Sequence, residues 1–393
     1  MRAPAGTGRR IRLLYVVGNF VTGGAERHLL EMWRRLDRSR FEVRIAVLRR
    51  EGAFTPLVEA LGLPIVELRV GRRIYDPSGV LGLLRLVSLV MEFRPDVIHG
   101  YLFGANLFAA LAGRACSVPV VCVAKRNMDA FETPRQIAVQ RLAHRLATHV
   151  TAVSEEVAGS SVELGVPRGR ITVIENGVDV GRFDGLSRRP EEAGFAPLPD
   201  GERLIGSVAC LAPRKDLGTL LEALALLAGR GIPFRAAIAG DGPERAALER
   251  LANERGLGSR VAFLGERSDV DRLLPAFDVF ALSSREEGIP NALLEAMAAA
   301  RPAVVTRVGG NAEVLEDGRT GWLVPPRDPA ALAAALAEAL ARPDEAARRG
   351  AAARRAMIET RSIEAMVRRH ERFYLAALGL ADGAGADATR GAA

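Results

Sequence analysis

Between Ser283 and Thr306 the chain reads SSREEGIPNALLEAMAAARPAVVT, with two glutamates, Glu287 and Glu295, eight positions apart. An apolar run, DVFALSS, enters a loop holding Gly288 and Pro290, and a helix is expected to open near Asn291, whose side chain can cap it. Glu287 then sits in a loop and Glu295 on the first turns of a helix. A carboxylate so placed accepts two hydrogen bonds from sugar hydroxyls, while the helix N-terminus offers N–H groups to an anion. In CLAPRKDLGTLLEA, Lys215 falls between a strand and a helix start, where ammonium and helix dipole act together on a phosphate. Gly23–Gly24 open another helix; a glycine pair permits close backbone approach but also marks any tight turn. His99, in DVIHGYLFGAN (Asp96–Asn106), ends a strand, where ligand contact and a satisfied core histidine are both open readings. Lys125, Arg126 and Asn127 end the next strand and are expected to point a basic pair at the same cleft.

The elements that position these residues are strands alternating with helices. Apolar runs at Ile11–Val17, Phe41–Leu48, Pro64–Leu68, Asp96–His99, Val118–Ala124, His149–Val153 and Ile171–Ile174 are separated by segments of helical spacing. A second series occupies Leu204–Ala209, Phe234–Ala239, Arg260–Leu264, Val279–Leu282, Ala303–Thr306 and Gly321–Val324, with helices at Leu217–Leu227, Arg245–Glu254, Ala292–Ala300 and Pro329–Leu340. The expected fold class is α/β: two Rossmann-like doubly wound parallel sheets facing across a cleft, with ligands at the carboxyl ends of the strands. Residues 1–185 form the first domain, 186–201 an aperiodic linker rich in Arg, Pro, Glu and Gly, and 202–361 the second domain. A closing amphipathic helix, 362–380, is expected to pack back toward the first domain, and 381–393 reads as a disordered tail.

Composition bounds the partners. A length of 393 residues favours two domains, and 49% hydrophobic with only 5% aromatic residues describes cores built on aliphatic side chains. Lys+Arg 54 against Asp+Glu 47 leaves +7, with clusters at Arg34, Arg35, Arg49, Arg50, Arg72 and Arg73. No zinc-ligand spacing, recognition helix or aromatic-basic interleaving is present, which argues against nucleic acid. Phosphorylated small molecules or an anionic membrane surface fit the charge better. Three cysteines without CxxC spacing, Cys116, Cys122 and Cys210, indicate a reducing compartment. The N-terminus lacks a signal-peptide pattern, and the apolar stretch Gly79–Phe93 carries Arg85 and is too short to span a bilayer. The protein is expected in the cytoplasm, at most peripheral at the inner face of the cell membrane.

The EGIPNALLEAMA string closely resembles the E-x7-E region of the family-four retaining glycosyltransferases, whose architecture is the two-Rossmann GT-B fold. The resemblance implies that Glu287 holds the donor sugar's hydroxyls and Glu295 the ribose, with Gly288, Ile289, Pro290 and Asn291 along the donor. Lys215 resembles the family's phosphate-binding lysine. The arginine usual five residues earlier is replaced by Cys210, so Arg214 is the candidate to supply that charge. Gly23 and Gly24 resemble the glycine loop that meets donor phosphates and acceptor. Gly265–Val270, with Glu266, Arg267 and Val270, corresponds to the nucleobase loop. GDGPER (Gly240–Arg245) and VGGNAEVL (Val308–Leu315) resemble further family loops, and Asn176–Asp179 resembles the NGVD turn, for which a structural role and a ligand contact are both open. His99, Tyr101, which stands where the family commonly has a second histidine, and Arg126 fall on the acceptor side.

In function the resemblance implies a retaining hexosyltransferase using a nucleotide diphosphate sugar and a glycan or lipid-linked acceptor, in polysaccharide or glycolipid synthesis. No cofactor is expected, and no metal, since a helix N-terminus with Lys215 beside it already offers positive charge to the diphosphate. Two alternatives share the fold: a sugar-nucleotide epimerase, and a nucleotide-sugar-binding protein that has lost catalysis.

Overall fold

The computed structural model describes residues 9–380 except 22, 72, 73, 129–131 and 188. Arg72 and Arg73 of the basic clusters, and the tail from residue 381, therefore lie outside the described residues. The chain divides into two units, each with one parallel sheet: the first comprises the residues up to Glu175 together with those from Glu364 onward, the second Asn176–Ile363.

The first unit runs β1 (Ile11–Val17), α1 (Gly24–Arg35), β2 (Phe41–Val47), α2 (Thr55–Glu59), β3 (Ile65–Glu67), α3 (Pro77–Phe93), β4 (Val97–Tyr101), α4 (Phe103–Ala115), β5 (Val120–Lys125), α5 (Pro134–Leu146), β6 (His149–Ala152), α6 (Glu155–Glu163) and β7 (Ile171–Val173). Among the described residues its sheet has the order β3-β2-β1-β4-β5-β6-β7, so winding reverses between β1 and β4. Central strands buried on both faces need continuous apolar runs, which is how β1 (IRLLYVV) and β5 (VVCVAK) read. The helices start on local signals. Asp76 accepts from the Gly79 N–H at the head of α3, and Thr133 and Gln136 form a capping box on α5.

The second unit runs β8 (Arg203–Val208), α7 (Leu217–Gly229), β9 (Phe234–Ala239), α8 (Arg245–Glu254), β10 (Val261–Gly265), α9 (Val270–Ala276), β11 (Val279–Leu282), α10 (Asn291–Ala298), β12 (Ala303–Thr306), α11 (Asn311–Val314), β13 (Trp322–Val324), α12 (Pro329–Ala341) and α13 (Pro343–Thr360). Its order is β10-β9-β8-β11-β12-β13, with the reversal between β8 and β11. The core is aliphatic: Leu220, Leu221, Leu224 and Leu227 of α7 pack with Leu332 and Leu336 of α12 over Ile205 and Ile238. Each such leucine contributes about 1.5–3 kcal/mol by leaving water.

A last helix, α14 (Ile363–Ala377), closes the chain. Met366, Val367, His370 and Tyr374 recur at helical spacing and are buried. The Tyr374 hydroxyl lies 2.8 Å from that of Tyr15 on β1, so this helix completes the first unit.

The segment read as a linker behaves differently from a free connector. Residues 186–201 fall within the second unit, which already begins at Asn176, ten residues before the expected first-domain end at 185. Within the segment Ala193 is buried, and the Arg267 guanidinium donates to the Ala193 carbonyl at 3.4 Å. The missing periodicity there reflects a short 3-10 turn at Pro190–Ala193.

Candidate active site

In the second unit the two strands flanking the winding reversal lead into the residues singled out above. After β8 the chain makes a 3-10 turn, Pro213–Lys215, and Asp216 in the left-handed region (φ 47°) starts α7 immediately behind Lys215. Aspartate tolerates this conformation better than most residues. After β11, Ser283 and Ser284 divide the work of holding the site. The Ser283 hydroxyl donates to the carbonyls of Asp216 (2.9 Å) and Lys215 (3.1 Å), fixing the turn, while that of Ser284 donates to Glu287 Oε1 at 2.6 Å. Lys215 Nζ donates to the same oxygen at 2.5 Å. Glu287 is buried, and the Lys215 side chain is largely so. A buried carboxylate is tolerable only with such partners.

The loop after β12 backs this arrangement. Thr306 Oγ1 donates to the Ser284 carbonyl at 2.6 Å, and the Gly310 N–H to the Gly288 carbonyl at 2.8 Å. A Cβ on Gly309, whose φ is +50°, would lie 1.8 Å from the Glu287 carbonyl oxygen, and one on Gly310 1.9 Å from that of Gly288. Only glycine lets this loop rest on the backbone of the glutamate loop.

The head of α10 departs from expectation. Its N-cap is Pro290, without a side-chain hydrogen bond, and Asn291 is the first helical residue. Asn291 Oδ1 instead accepts from Asn176 Nδ2 at 2.9 Å, and Asn176 also donates to the Ile289 carbonyl at 2.9 Å. The NGVD turn is thus structural, clamping the loop that leads to Glu295. Glu295, in the second turn of α10, lies 3.7 Å from Arg182 Nη1, and Arg182 Nη2 is 3.6 Å from Asp271. Sequence reasoning missed Arg182; its signal is position alone, three residues past the NGVD turn.

Arg214 lends its backbone carbonyl to the Arg285 N–H at 2.8 Å, and the Arg285 guanidinium meets Asp216 at 3.0 Å. Arg285, also missed, brings a second cation to the Lys215 turn. Beyond edge strand β10, Glu266 is exposed, Arg267 grips Asp269 with two hydrogen bonds (2.6 and 2.7 Å), and buried Val270 begins α9. The Arg267 guanidinium thereby helps to shape that loop.

The first unit's reversal point is chemically different. Gly23 caps α1, and the Glu26 side chain folds back over it, so a Cβ there would sit 2.3 Å from Glu26 Oε2; Gly24 is the first helical residue. Burial pushes the Glu26 carboxyl above its usual range, partly offset by Arg126. Burial likewise lowers the Arg126 guanidinium, which faces Tyr101 and Glu26. Lys125 does not project beside Arg126: it is buried, and its Nζ donates to Gln140 on α5 at 3.1 Å.

His99 and Tyr101 are core residues, each 1% exposed. His99 Nδ1 is 2.9 Å from the Tyr374 hydroxyl and Nε2 3.2 Å from Thr151 Oγ1; the Tyr101 hydroxyl is 3.2 Å from His370 Nε2. The satisfied core histidine is therefore the reading the geometry supports, and both residues are sealed beneath α14. Burial holds His28 and His99 well below the ordinary histidine range and His370 at about 4.

Relatives share this plan. The model described as Glycosyltransferase Family 4 matches residues 22–182, and the one described as Glycosyl transferases group 1 matches 188–356. The chain is 29% identical over 313 residues to "Putative glycosyltransferase EpsF" of Bacillus subtilis, covering 75% of this chain and 79% of the relative. It is 39% identical over 193 residues to "Putative colanic acid biosynthesis glycosyltransferase WcaL" of Escherichia coli, covering 47% and 46% of the two chains. In fold it matches the crystal structure of Anabaena Alr3699/HepE in complex with UDP and glucose, with a TM-score of 0.82 at 23% identity over 93% of this chain and 100% of that one. With one family model on each half and the doubly wound sheets those relatives share, the chain belongs to the group 1 glycosyltransferases.

Proposed function

We propose that this glycosyltransferase moves a hexose-type sugar from a nucleotide diphosphate donor to a glycan or lipid-linked acceptor, with retention at the anomeric carbon and without a metal. The observation that carries the reading is the Lys215–Glu287 pair at the winding reversal, immediately before α7. The diphosphate lies over the head of α7, where Lys215 and helix N–H groups meet the charge that builds on the β-phosphate as the nucleotide departs. Glu287 orients the sugar hydroxyls and Glu295 the ribose, with Gly288–Asn291 along the donor, Glu266, Arg267 and Val270 at the nucleobase, and Arg214 with Arg285 adding positive charge. The bond from the anomeric carbon to the phosphate oxygen breaks, the acceptor oxygen bonds that carbon on the same face, and its proton passes to the departing phosphate. No side-chain base is assigned. Gly23 and Arg126 remain the candidates toward the acceptor and Gly24 toward the donor, whereas His99 and Tyr101 act through the core.

The polymer reading draws on relatives such as the "UDP-Gal:alpha-D-GlcNAc-diphosphoundecaprenol alpha-1,3-galactosyltransferase" of Escherichia coli, 24% identical over 330 residues. Among the described residues no helix is long and apolar enough to cross a membrane. The reading places the protein in the cytoplasm with peripheral contact at the inner face of the cell membrane. Thermal shift against UDP-, GDP-, ADP- and dTDP-sugars identifies the donor, since a ligand that binds only the native state raises the melting temperature. Nucleotide release should then require an acceptor and persist in excess chelator. Release without acceptor would mark an epimerase or hydrolase, and a loss restored by Mn²⁺ would reject the metal-free mechanism.

A further inference from the structure

The two glutamates of the site are held in different ways. Glu287 Oε1 accepts short hydrogen bonds from Lys215 and Ser284, so that oxygen is already engaged. Glu295, buried on the second turn of α10, faces Arg182 instead, with Nη1 3.7 Å from Oε1. At that separation the contact is an ion pair and not a hydrogen bond, so it directs the carboxylate without itself filling an acceptor position. The other prong of the guanidinium, Nη2, lies 3.6 Å from Asp271 Oδ2 on the first turn of α9.

The segment that carries Arg182 is pinned on both sides of it. Upstream, buried Asn176 donates to the Ile289 carbonyl and to Asn291 Oδ1, both at 2.9 Å, so the segment is tied to the head of the helix that bears Glu295. Downstream, Phe183 closes the 3-10 turn Val180–Phe183 and is buried, and the Arg182 guanidinium carbon rests 5.9 Å from its ring centre. The planar fork is thus brought to the carboxylates with little freedom left to lose. An exposed ion pair is worth little, but the Glu295 side chain is only 12% exposed and that of Arg182 29%. Removing the arginine takes a counter-charge from a shielded carboxylate, which costs more than the pair itself is worth.

We infer that Arg182 is a positioning residue for ribose recognition. It turns the Glu295 carboxylate so that both hydroxyls of a ribonucleoside diphosphate reach it, and Asp271 sets the angle of the guanidinium. A carboxylate takes two adjacent hydroxyls only when both of its oxygens face them; misaimed, it keeps one hydrogen bond and gives up the other. Because α9 follows directly on the Gly265–Val270 loop, one cation links the helix of the ribose glutamate to the helix beyond the loop assigned to the base. This role rests on the ribose contact proposed above for Glu295.

The test is calorimetry of the full chain with UDP, GDP and ADP, each set beside its 2′-deoxy counterpart. The readout is the ratio of the two affinities for the base that binds best. The wild type should favour the ribose form at least about tenfold, the loss of one hydrogen bond to a charged group. Arg182→Gln should bring the ratio to about twofold or less, mainly by weakening the ribose form. Arg182→Lys, which keeps the charge and gives up the fork, should fall between, and it reads the same ratio if the glutamine variant folds poorly. Asp271→Asn should lower the ratio in the same direction, and adding it to Arg182→Gln should cost nothing further, since both act through one guanidinium. Lys215→Ala should weaken both forms alike and keep the ratio. An arginine that only braces the fold predicts a lower melting temperature with a wild-type ratio in Arg182→Gln. That result, or additive losses in the double variant, would overturn the positioning role, while a ratio abolished by Glu295→Gln would leave the ribose contact standing. A ratio that survives Glu295→Gln, or a wild type that binds both forms equally, would reject the ribose contact and the positioning role with it.

Discussion

The two units obey one topological rule with opposite chemistry. Each winds outward from a central strand and reverses beside it, at β1/β4 in the first and β8/β11 in the second. All five histidines and all four tyrosines belong to the first unit, where His99, Tyr101, Tyr15, His370 and Tyr374 fill the space beside the reversal. The second unit has none of either, and its reversal leads to a lysine, two serines and a glutamate over an aliphatic core. A reversal of winding is thus only an opening; the side chains at the strand ends decide whether it becomes packing or a ligand site.

Each unit carries one of the two tryptophans, Trp33 and Trp322, both buried, so Trp322→Phe and Trp33→Phe backgrounds report the units separately. The largest contrast should come from Tyr374→Ala, which empties a fully buried aromatic site and costs about 3–5 kcal/mol. The Trp33 transition should move to lower denaturant while that of Trp322 holds; a shared shift would show that the units melt as one. Lys215→Ala should reverse the pattern, lowering kcat about 10²–10³-fold with the Trp33 transition unchanged. Steady-state kinetics beside equilibrium unfolding separates the two.

Acid should divide the units next. Burial depresses the His370 imidazole to about 4, so the folded state refuses a proton that the unfolded chain accepts below its ordinary value near 6.5. The stability this provides is complete above that value and is lost as pH falls toward 4, on the order of 3 kcal/mol from His370, with His28 and His99 acting in the same direction. The Trp33 signal should lose stability across this window while the histidine-free unit does not; parallel loss would break the contrast. The smallest effects concern the two glutamates. Glu295→Gln should weaken nucleotide diphosphate binding about 10- to 150-fold. Glu287→Gln should leave that affinity nearly intact and lower kcat. Calorimetry with the nucleotide alone, set beside kinetics, decides this, and the opposite assignment would exchange their roles.

Much of this plan was legible because strand runs are local. Ile11–Val17, Phe234–Ala239, Val279–Leu282 and Ala303–Thr306 have the bounds their apolar runs suggest. Helix α13 (PDEAARRGAAARRAMIET) was not legible: it packs through Ala346, Gly350, Ala353 and Met357, small side chains that leave no apolar rhythm among the arginines. At the site, Lys215 and Glu287 stood out because each comes just after a strand. The cap assigned to Asn291 failed because a partner far upstream, Asn176, claims its side chain. His99 and Tyr101 looked available because nothing near them announces that α14, hundreds of residues later, covers them. One unused signal was rarity. The only two lysines are Lys125 and Lys215, in a chain otherwise basic through arginine, and both sit shielded at the ends of strands or just past them.

That late helix also sets an order of assembly. The second unit is continuous in sequence, whereas the first waits for residues translated after the second is complete. Until Met366, His370 and Tyr374 leave the ribosome, Tyr15, His99 and Tyr101 lack their cover, so the half made first is finished last. A stalled or clipped chain lacking α14 would carry a finished second unit and an open aromatic seam in the first, a species for chaperones and proteases to find.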